Sequence, residues 1–333
     1  MSTAQSMDAS QETVGGSGFN AAVKRQLQQG LAFGTLIVLL LFFSIFGNNF
    51  FTWSNISSIL LSTAVIGILA LGTTFVIITG GIDLSIGTGM TMCAVMTGVF
   101  ITNWGMPVAV GILGGIGTGL LMGLINGINI TFLRLPPFIA TLAMMMIAQG
   151  LALVVSGVKP IYFSGSAPDF KNLALGTLIP GLPNAVTITI VMAVVAYLAL
   201  NKTLLGRYNF AIGSNEEAAR LSGVNTRVWK IVIYVFAGMF TGLAGVILAA
   251  RLDSAQPALG SGYELQAIAA VIIGGTSLLG GRGSIVGTVI GALIMSVLIN
   301  GLRIMSIQTE WQTVVVGIVI LVAVFFDSLR NRT

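Results

Sequence analysis

Apolar residues run along this chain in long blocks, interrupted by short clusters of glycine, proline and charge. A membrane-spanning helix needs about 20 mostly apolar residues to cross roughly 30 Å of hydrocarbon. Read with that window, the sequence predicts ten spans, near 31–52, 56–79, 88–104, 107–131, 138–155, 184–200, 231–250, 265–279, 284–304 and 312–328. The eighth is short for a full crossing. The expected fold is an all-α polytopic bundle of about ten transmembrane helices over residues 31–329. A polar tail (1–30), rich in Ser, Gln and Gly, precedes it and reads as disordered and cytoplasmic. A short cytoplasmic end (330–333) follows.

Composition strengthens this picture. Apolar residues make up 55% of the chain and charged residues 8%, and mean hydropathy is +0.99. Soluble domains carry roughly 25% charge, so this chain cannot cover a normal aqueous surface. The 43 glycines suit a bundle whose backbones approach closely. With no histidine and a single cysteine, Cys93, neither a disulfide nor a metal site on His or Cys ligands is available. The commonest general base is missing too, so no catalytic residue is proposed.

Charge placement gives an orientation. With the N-terminus placed inside, eleven basic residues fall in inner segments: Lys24, Arg25, Arg134, Lys202, Arg207, Arg220, Arg227, Lys230, Arg282, Arg330 and Arg332. Four fall outside: Lys159, Lys171, Arg251 and Arg303. The positive-inside rule therefore puts both termini in the cytoplasm of a bacterial inner-membrane protein. It also accounts for the net charge of +5 without a nucleic-acid partner. Lys24 and Arg25 before an apolar run resemble a signal peptide, but no small-residue cleavage site follows, and an uncleaved first span is expected. Two connections are long: Ser156–Pro183 outside and 201–230 inside.

Three segments carry chemistry. In the first, Thr79-Gly80-Gly81-Ile82-Asp83-Leu84-Ser85, a carboxylate between apolar runs costs about 2.5–3.5 kcal/mol on insertion scales. Glycines beside it predict a broken helix, with Asp83 acting either as a cap and hinge or as a pathway contact. The second, Gly274-Gly275-Thr276-Ser277 and onward to Ser284, matches the first at five positions with an offset of 194. Paired glycine-interrupted segments in two halves point to a transporter's pathway, and the direction of the repeat is open. Gly275 through Arg282 imitates a phosphate-binding loop, but the required Gly-Lys-Ser/Thr is absent. This chain is therefore not expected to hydrolyse ATP itself or to carry a cofactor.

The third lies in the 201–230 loop. Asn215 is a good N-cap, Glu216 and Glu217 suit a first helical turn, and Gly223 suits the stop. A short helix results, with Ala218, Ala219 and Leu221 offering a smooth face beside Arg220. Asn126 in the fourth span reads as interhelical glue or a solute contact. Arg251, Asp253, Gln256, Tyr263 and Glu264 are expected outside, forming a gate, meeting a protein outside the membrane, or with their charges merely paired to each other.

Glu217-Ala218-Ala219 with Gly223 four positions on resembles the coupling loop of ABC importer permeases. The Ile-x-Leu-Pro ending common there is absent, since Ile233 is followed by Tyr234, Val235 and Phe236. Residues from Leu31 to Leu329 resemble the ribose-type branch of these permeases. Gly81-Ile82-Asp83-Leu84-Ser85, Pro137-Phe138-Ile139-Ala140-Thr141-Leu142, Leu221-Ser222-Gly223-Val224 and Gly274-Gly275-Thr276-Ser277-Leu278 carry the resemblance. It implies a monosaccharide import permease, paired with a second permease chain (a homodimer). A cytoplasmic ATPase subunit, holding ATP and magnesium, would dock on Asn215–Gly223, and a periplasmic sugar-binding protein would deliver solute. An ion-coupled sugar carrier is the alternative, weakened by the scarcity of ionisable residues within the spans.

Overall fold

The computed structural model describes residues 30 and 32–332. The tail expected over 1–30 lies outside the described residues except for Gly30. Thirteen α-helices are formed among them: α1 (Ala32–Phe46), α2 (Trp53–Ile78), α3 (Ile86–Gly98), α4 (Val108–Thr131), α5 (Pro137–Ser156), α6 (Asn172–Leu175), α7 (Asn184–Lys202), α8 (Leu204–Ser214), α9 (Glu216–Leu221), α10 (Thr226–Leu252), α11 (Tyr263–Ile273), α12 (Ile285–Ile304) and α13 (Thr309–Arg332). A π-helical turn, Val99–Asn103, extends α3. Two strands, β1 (Ile161–Tyr162) and β2 (Ser254–Ala255), pair antiparallel, Ile161 opposite Ala255.

Among the described residues, eight helices are long and apolar enough to cross a membrane. The predicted first and eighth spans are the shorter α1 and α11. At about 1.5 Å per residue, the 11 residues of α11 rise only about 16 Å, half of a bilayer core. Its apolar run continues to Leu279, but Gly274, Gly275, Gly280 and Gly281 take that continuation out of helix, three of them at positive φ. The last span continues into the expected C-terminal end, because α13 reaches Arg332.

The bundle has a wrapped centre. The most apolar stretch of α2 is 89% buried, whereas that of α13 is 11% buried. Outward side chains such as Leu121, Val154 and Leu321 are exposed and apolar, as lipid contact requires. Glycine decides which helices touch at the backbone. Along α4, Gly111, Gly115, Gly119, Gly123 and Gly127 recur every fourth residue on one face. A Cβ added at Gly119 would overlap the Gly238 carbonyl of α10, and one at Gly127 would stand 2.8 Å from the Ile231 Cα. Without a hydrophobic difference between lipid and side chain, such close approach supplies the packing and dispersion that hold helices together. Polar links are fewer. Thr74 of α2 and Thr288 of α12 share a hydrogen bond of 2.7 Å between buried hydroxyls.

At one end of the bundle, the segment between α5 and α7 folds over the terminus of α10. Phe163, Phe170 and Ala174 are buried there, and the amide of Phe163 donates to the Asp253 carbonyl at 3.2 Å. The opposite end carries α8 and α9.

Candidate functional site: two broken helices and a capped end helix

The first break runs from Thr79 to Ser85, between α2 and α3. Gly80 sits at φ 78°, a left-handed conformation that costs glycine little. Unwound backbone between two apolar helices needs protein partners for its polar groups, and here α5 supplies one. Thr141 in its first turn accepts from the Leu84 amide at 3.2 Å. The same hydroxyl lies 3.2 Å from the Ile82 carbonyl and 2.9 Å from that of Pro137. A Thr141→Val chain leaves the Leu84 amide without an acceptor, a cost of about 1–3 kcal/mol. Its thermal unfolding midpoint in detergent is expected to fall by several degrees, while a Thr313→Val control, on an exposed hydroxyl of α13, is expected to leave it unchanged.

Asp83 is buried at 4% exposure. Its Oδ1 accepts from the Ser85 amide at 2.8 Å and from the Ser85 hydroxyl at 2.6 Å. Asn126 of α4 then donates through Nδ2 to the Ser85 hydroxyl at 3.0 Å. The carboxyl thus closes a local turn on Ser85, the residue before α3, and through Ser85 it ties the break to a neighbouring helix. Thr79 donates to the Val76 carbonyl at 2.6 Å and accepts weakly from the Gly81 amide. Tyr234 of α10, given no site role by the sequence, completes the group. Its hydroxyl is fully buried and would stand 2.7 Å from a Cβ on Gly81. Neither that hydroxyl nor the Oδ1 of Asn126 has a hydrogen-bond partner among the described residues.

The second break, Gly274–Ser284, joins α11 to α12. Thr276 and Ser277 are buried, and the Leu278 amide donates to Asp327 Oδ2 at 3.2 Å. Asp327 is a further residue missed earlier. The signal was present, since it is an acidic residue directly after Val324-Phe325-Phe326. The two breaks touch: the Gly281 amide donates to the Ile78 carbonyl at 2.9 Å. Thr79, Gly80, Gly81, Asp83, Ser85, Asn126, Gly274, Gly275, Thr276 and Ser277 therefore belong to one neighbourhood, and both breaks open at the same end of the bundle.

At that end stands α9. Asn215 accepts from the Ala218 amide at 2.9 Å, forming the expected N-cap. Gly223, at φ 87°, closes the helix, with its amide donating to the Arg220 carbonyl at 3.0 Å. Lys230 Nζ pairs with Glu216 at 2.6 Å, pinning α9 to α10. Arg220 Nε donates to Glu217 at 3.2 Å, and this neighbour holds the Glu217 carboxyl below its ordinary range. The smooth face is divided: Ala219 turns inward, while Ala218 points outward and Leu221 is 77% exposed. Ala218 and Leu221, three positions apart, share the outward side, whereas Ala219 is turned about 100° from Ala218.

The remaining candidates separate. Arg251 donates to the Ser62 hydroxyl at 3.2 Å, Asp253 ends α10 at φ 51°, and Gln256 donates to Ser254 at 3.0 Å. These lie at the β1–β2 end. Tyr263 begins α11. Glu264 goes deeper, buried at 7%, with both carboxyl oxygens accepting from the Gly262 amide at 3.0 and 3.1 Å. A Cβ on Gly87, in the first turn of α3, would overlap its Oε2, so Glu264 packs close to the first break. No group of three or more potential metal ligands occurs among the described residues.

Two glycine-rich breaks in contact with each other, with a short capped helix outside them, form the framework of a solute permease. A family model described as the permease component of branched-chain amino acid transport systems matches residues 55–324, and the chain belongs to that family. It is 40% identical over 317 residues to a ribose import permease protein of Escherichia coli (strain K12), covering 95% of this chain and 98% of the relative. It is 45% identical over 297 residues to a ribose import permease protein of Bacillus subtilis (strain 168), covering 89% and 91%. A D-allose transport system permease protein of Escherichia coli (strain K12) is 36% identical over 304 residues, covering 90% and 92%. The chain is a multi-pass bacterial inner-membrane transport permease, not an enzyme.

Proposed function

We propose that this chain is the permease subunit of an ATP-driven importer for a monosaccharide, ribose or a closely related sugar. The observation that carries the reading is nearly end-to-end similarity to permeases named for ribose and allose. ATP and magnesium are held by a separate cytoplasmic ATPase subunit, a periplasmic binding protein delivers the sugar, and a second copy of the permease completes the pathway. Both termini and α9 face the cytoplasm, consistent with the excess of basic residues at that end.

In this mechanism, α9 receives the ATPase. A helix this short does not hold its shape alone. Here the Asn215 cap, the Lys230–Glu216 pair and the inward Ala219 keep it in place, leaving Leu221, Glu217 and Arg220 outward for a partner. ATPase closure pushes α9, and the glycine breaks allow α2–α3 and α11–α12 to rearrange around the passing sugar. Selectivity rests mainly with the binding protein, so the permease needs only a few hydroxyl and amide contacts.

Gly223→Pro tests the docking assignment. Proline fixes φ near −65° and has no amide proton, so it can neither adopt φ 87° nor donate to Arg220. In vesicles reconstituted with ATPase and binding protein, the variant is expected to insert normally and to permit ATP hydrolysis. Sugar uptake is expected to fall at least about tenfold, the effect of losing ~1.4 kcal/mol of coupling. Normal coupling would remove α9 from the docking role.

A further inference from the structure

Three backbone segments from distant parts of the sequence meet at one point. These are the end of α2 (Ile78–Gly80), the α11–α12 loop (Leu279–Gly281) and the end of α8 (Gly213–Ser214). A Cβ on Gly213 would overlap the Ile78 carbonyl oxygen and stand 2.6 Å from the Gly281 nitrogen. One on Gly280 would stand 2.9 Å from both the Gly213 oxygen and the Gly80 nitrogen. One on Gly281 would lie 2.8 Å from the Ser214 hydroxyl and 3.1 Å from its Cα. The Gly281 amide donates to Ile78 at 2.9 Å, and Asn215, the cap of α9, follows Ser214 directly.

We propose that Gly213 and Gly281 are positioning residues that carry a displacement of α9 into both broken helices together. The contact is backbone on backbone. Apart from the Ser214 hydroxyl, the closest atoms are main chain, which cannot change rotamer to absorb a shift, and close-packed interiors pass displacement on instead of damping it. Ile78–Gly80 leads within a few residues to Asp83, and Leu279–Gly281 leads back to Ser277 and Thr276. One push at the start of α9 therefore reaches the polar groups of both breaks at once. The inference rests on the docking role of α9 proposed above.

The test uses the full transporter in vesicles, with ATPase and binding protein. Cys93 is buried, so a Leu279→Cys substitution at a 73% exposed position can be labelled selectively with a fluorescent probe. On addition of ATP, the probe's emission is expected to change in the otherwise native chain. With Gly213→Ala added, the new methyl must push the Ile78 backbone aside, so thermal stability is expected to fall. In the protein that accumulates, ATP hydrolysis is expected to persist while the emission change and at least nine-tenths of uptake are lost. Gly150→Ala, with open space around its Cβ, is expected to behave as the native chain. Loss of uptake with the emission change intact, or normal uptake, would overturn the proposal. Should Gly213→Ala fail to accumulate, the probe in the native chain decides alone: a transporting complex whose emission ignores ATP refutes the junction. Failure of the functional reading looks different, because the native chain itself would show no ATP-dependent uptake.

Discussion

A Gly119→Leu chain is expected to yield almost no folded protein. Gly119 faces α10 so closely that even a methyl group would overlap the Gly238 carbonyl and stand 2.7 Å from the Gly242 nitrogen. Backbone cannot rotate away as a side chain can. Overpacking by methylenes costs about 1–3 kcal/mol where a core can adjust, and four extra carbons between two backbones exceed that range. Since ~1.4 kcal/mol is tenfold in population, monodisperse protein recovered in detergent is expected to drop by more than about tenfold. Gly117→Leu is the matched control, two residues away on the same helix with nothing within 4 Å of its Cβ. It is expected to be recovered normally. Equal recovery of both variants would mean that the α4–α10 contact does not hold the bundle together.

The second large effect is expected at Asp83. Its Oδ1 accepts from both the Ser85 amide at 2.8 Å and the Ser85 hydroxyl at 2.6 Å, so a single oxygen holds the turn into α3. Asp83→Asn keeps the shape and one acceptor oxygen but weakens both bonds from Ser85, and through Ser85 the link to Asn126. A loss of about 1–2 kcal/mol at the break is expected to slow initial sugar uptake about tenfold. Membrane insertion and recovery are expected to stay normal, since α2 and α3 retain their apolar packing. Unchanged uptake would reduce Asp83 to a cap on α3.

What could be read from residues alone followed from how strong each local signal was. Apolar runs bounded by glycine or charge are unambiguous, and α4, α5, α7, α10 and α12 begin and end within a few residues of their predicted limits. Asp83 stood out because a lone carboxylate in an apolar stretch is costly, and Asn215 because caps have a fixed spacing. The half-length of α11 was not legible, because hydropathy does not register a chain leaving helix at Gly274 while remaining apolar to Leu279. Tyr234 was hidden for a related reason: a tyrosine on a long apolar helix looks like packing until Gly81 is found against its hydroxyl.

The relation between the two glycine segments was legible only in part. Their similarity could be counted, but not their direction. The hydrogen bond from Gly281 to Ile78 places the two segments against each other. Glu264 shows the converse limit. Its sequence neighbours Arg251 and Asp253 lie at the β1–β2 end, yet the segment from Gln256 to Gly262 carries it inward to Gly87. Distance along a chain says little about depth where the backbone leaves helix.

The most direct test of the central claim is solute uptake in sealed vesicles containing this permease, its ATPase and its binding protein, measured over a panel of sugars. Accumulation of ribose or a related monosaccharide that requires ATP and the binding protein, and is indifferent to proton and sodium gradients, is the expected result. Accumulation driven by an ion gradient without ATP would contradict it.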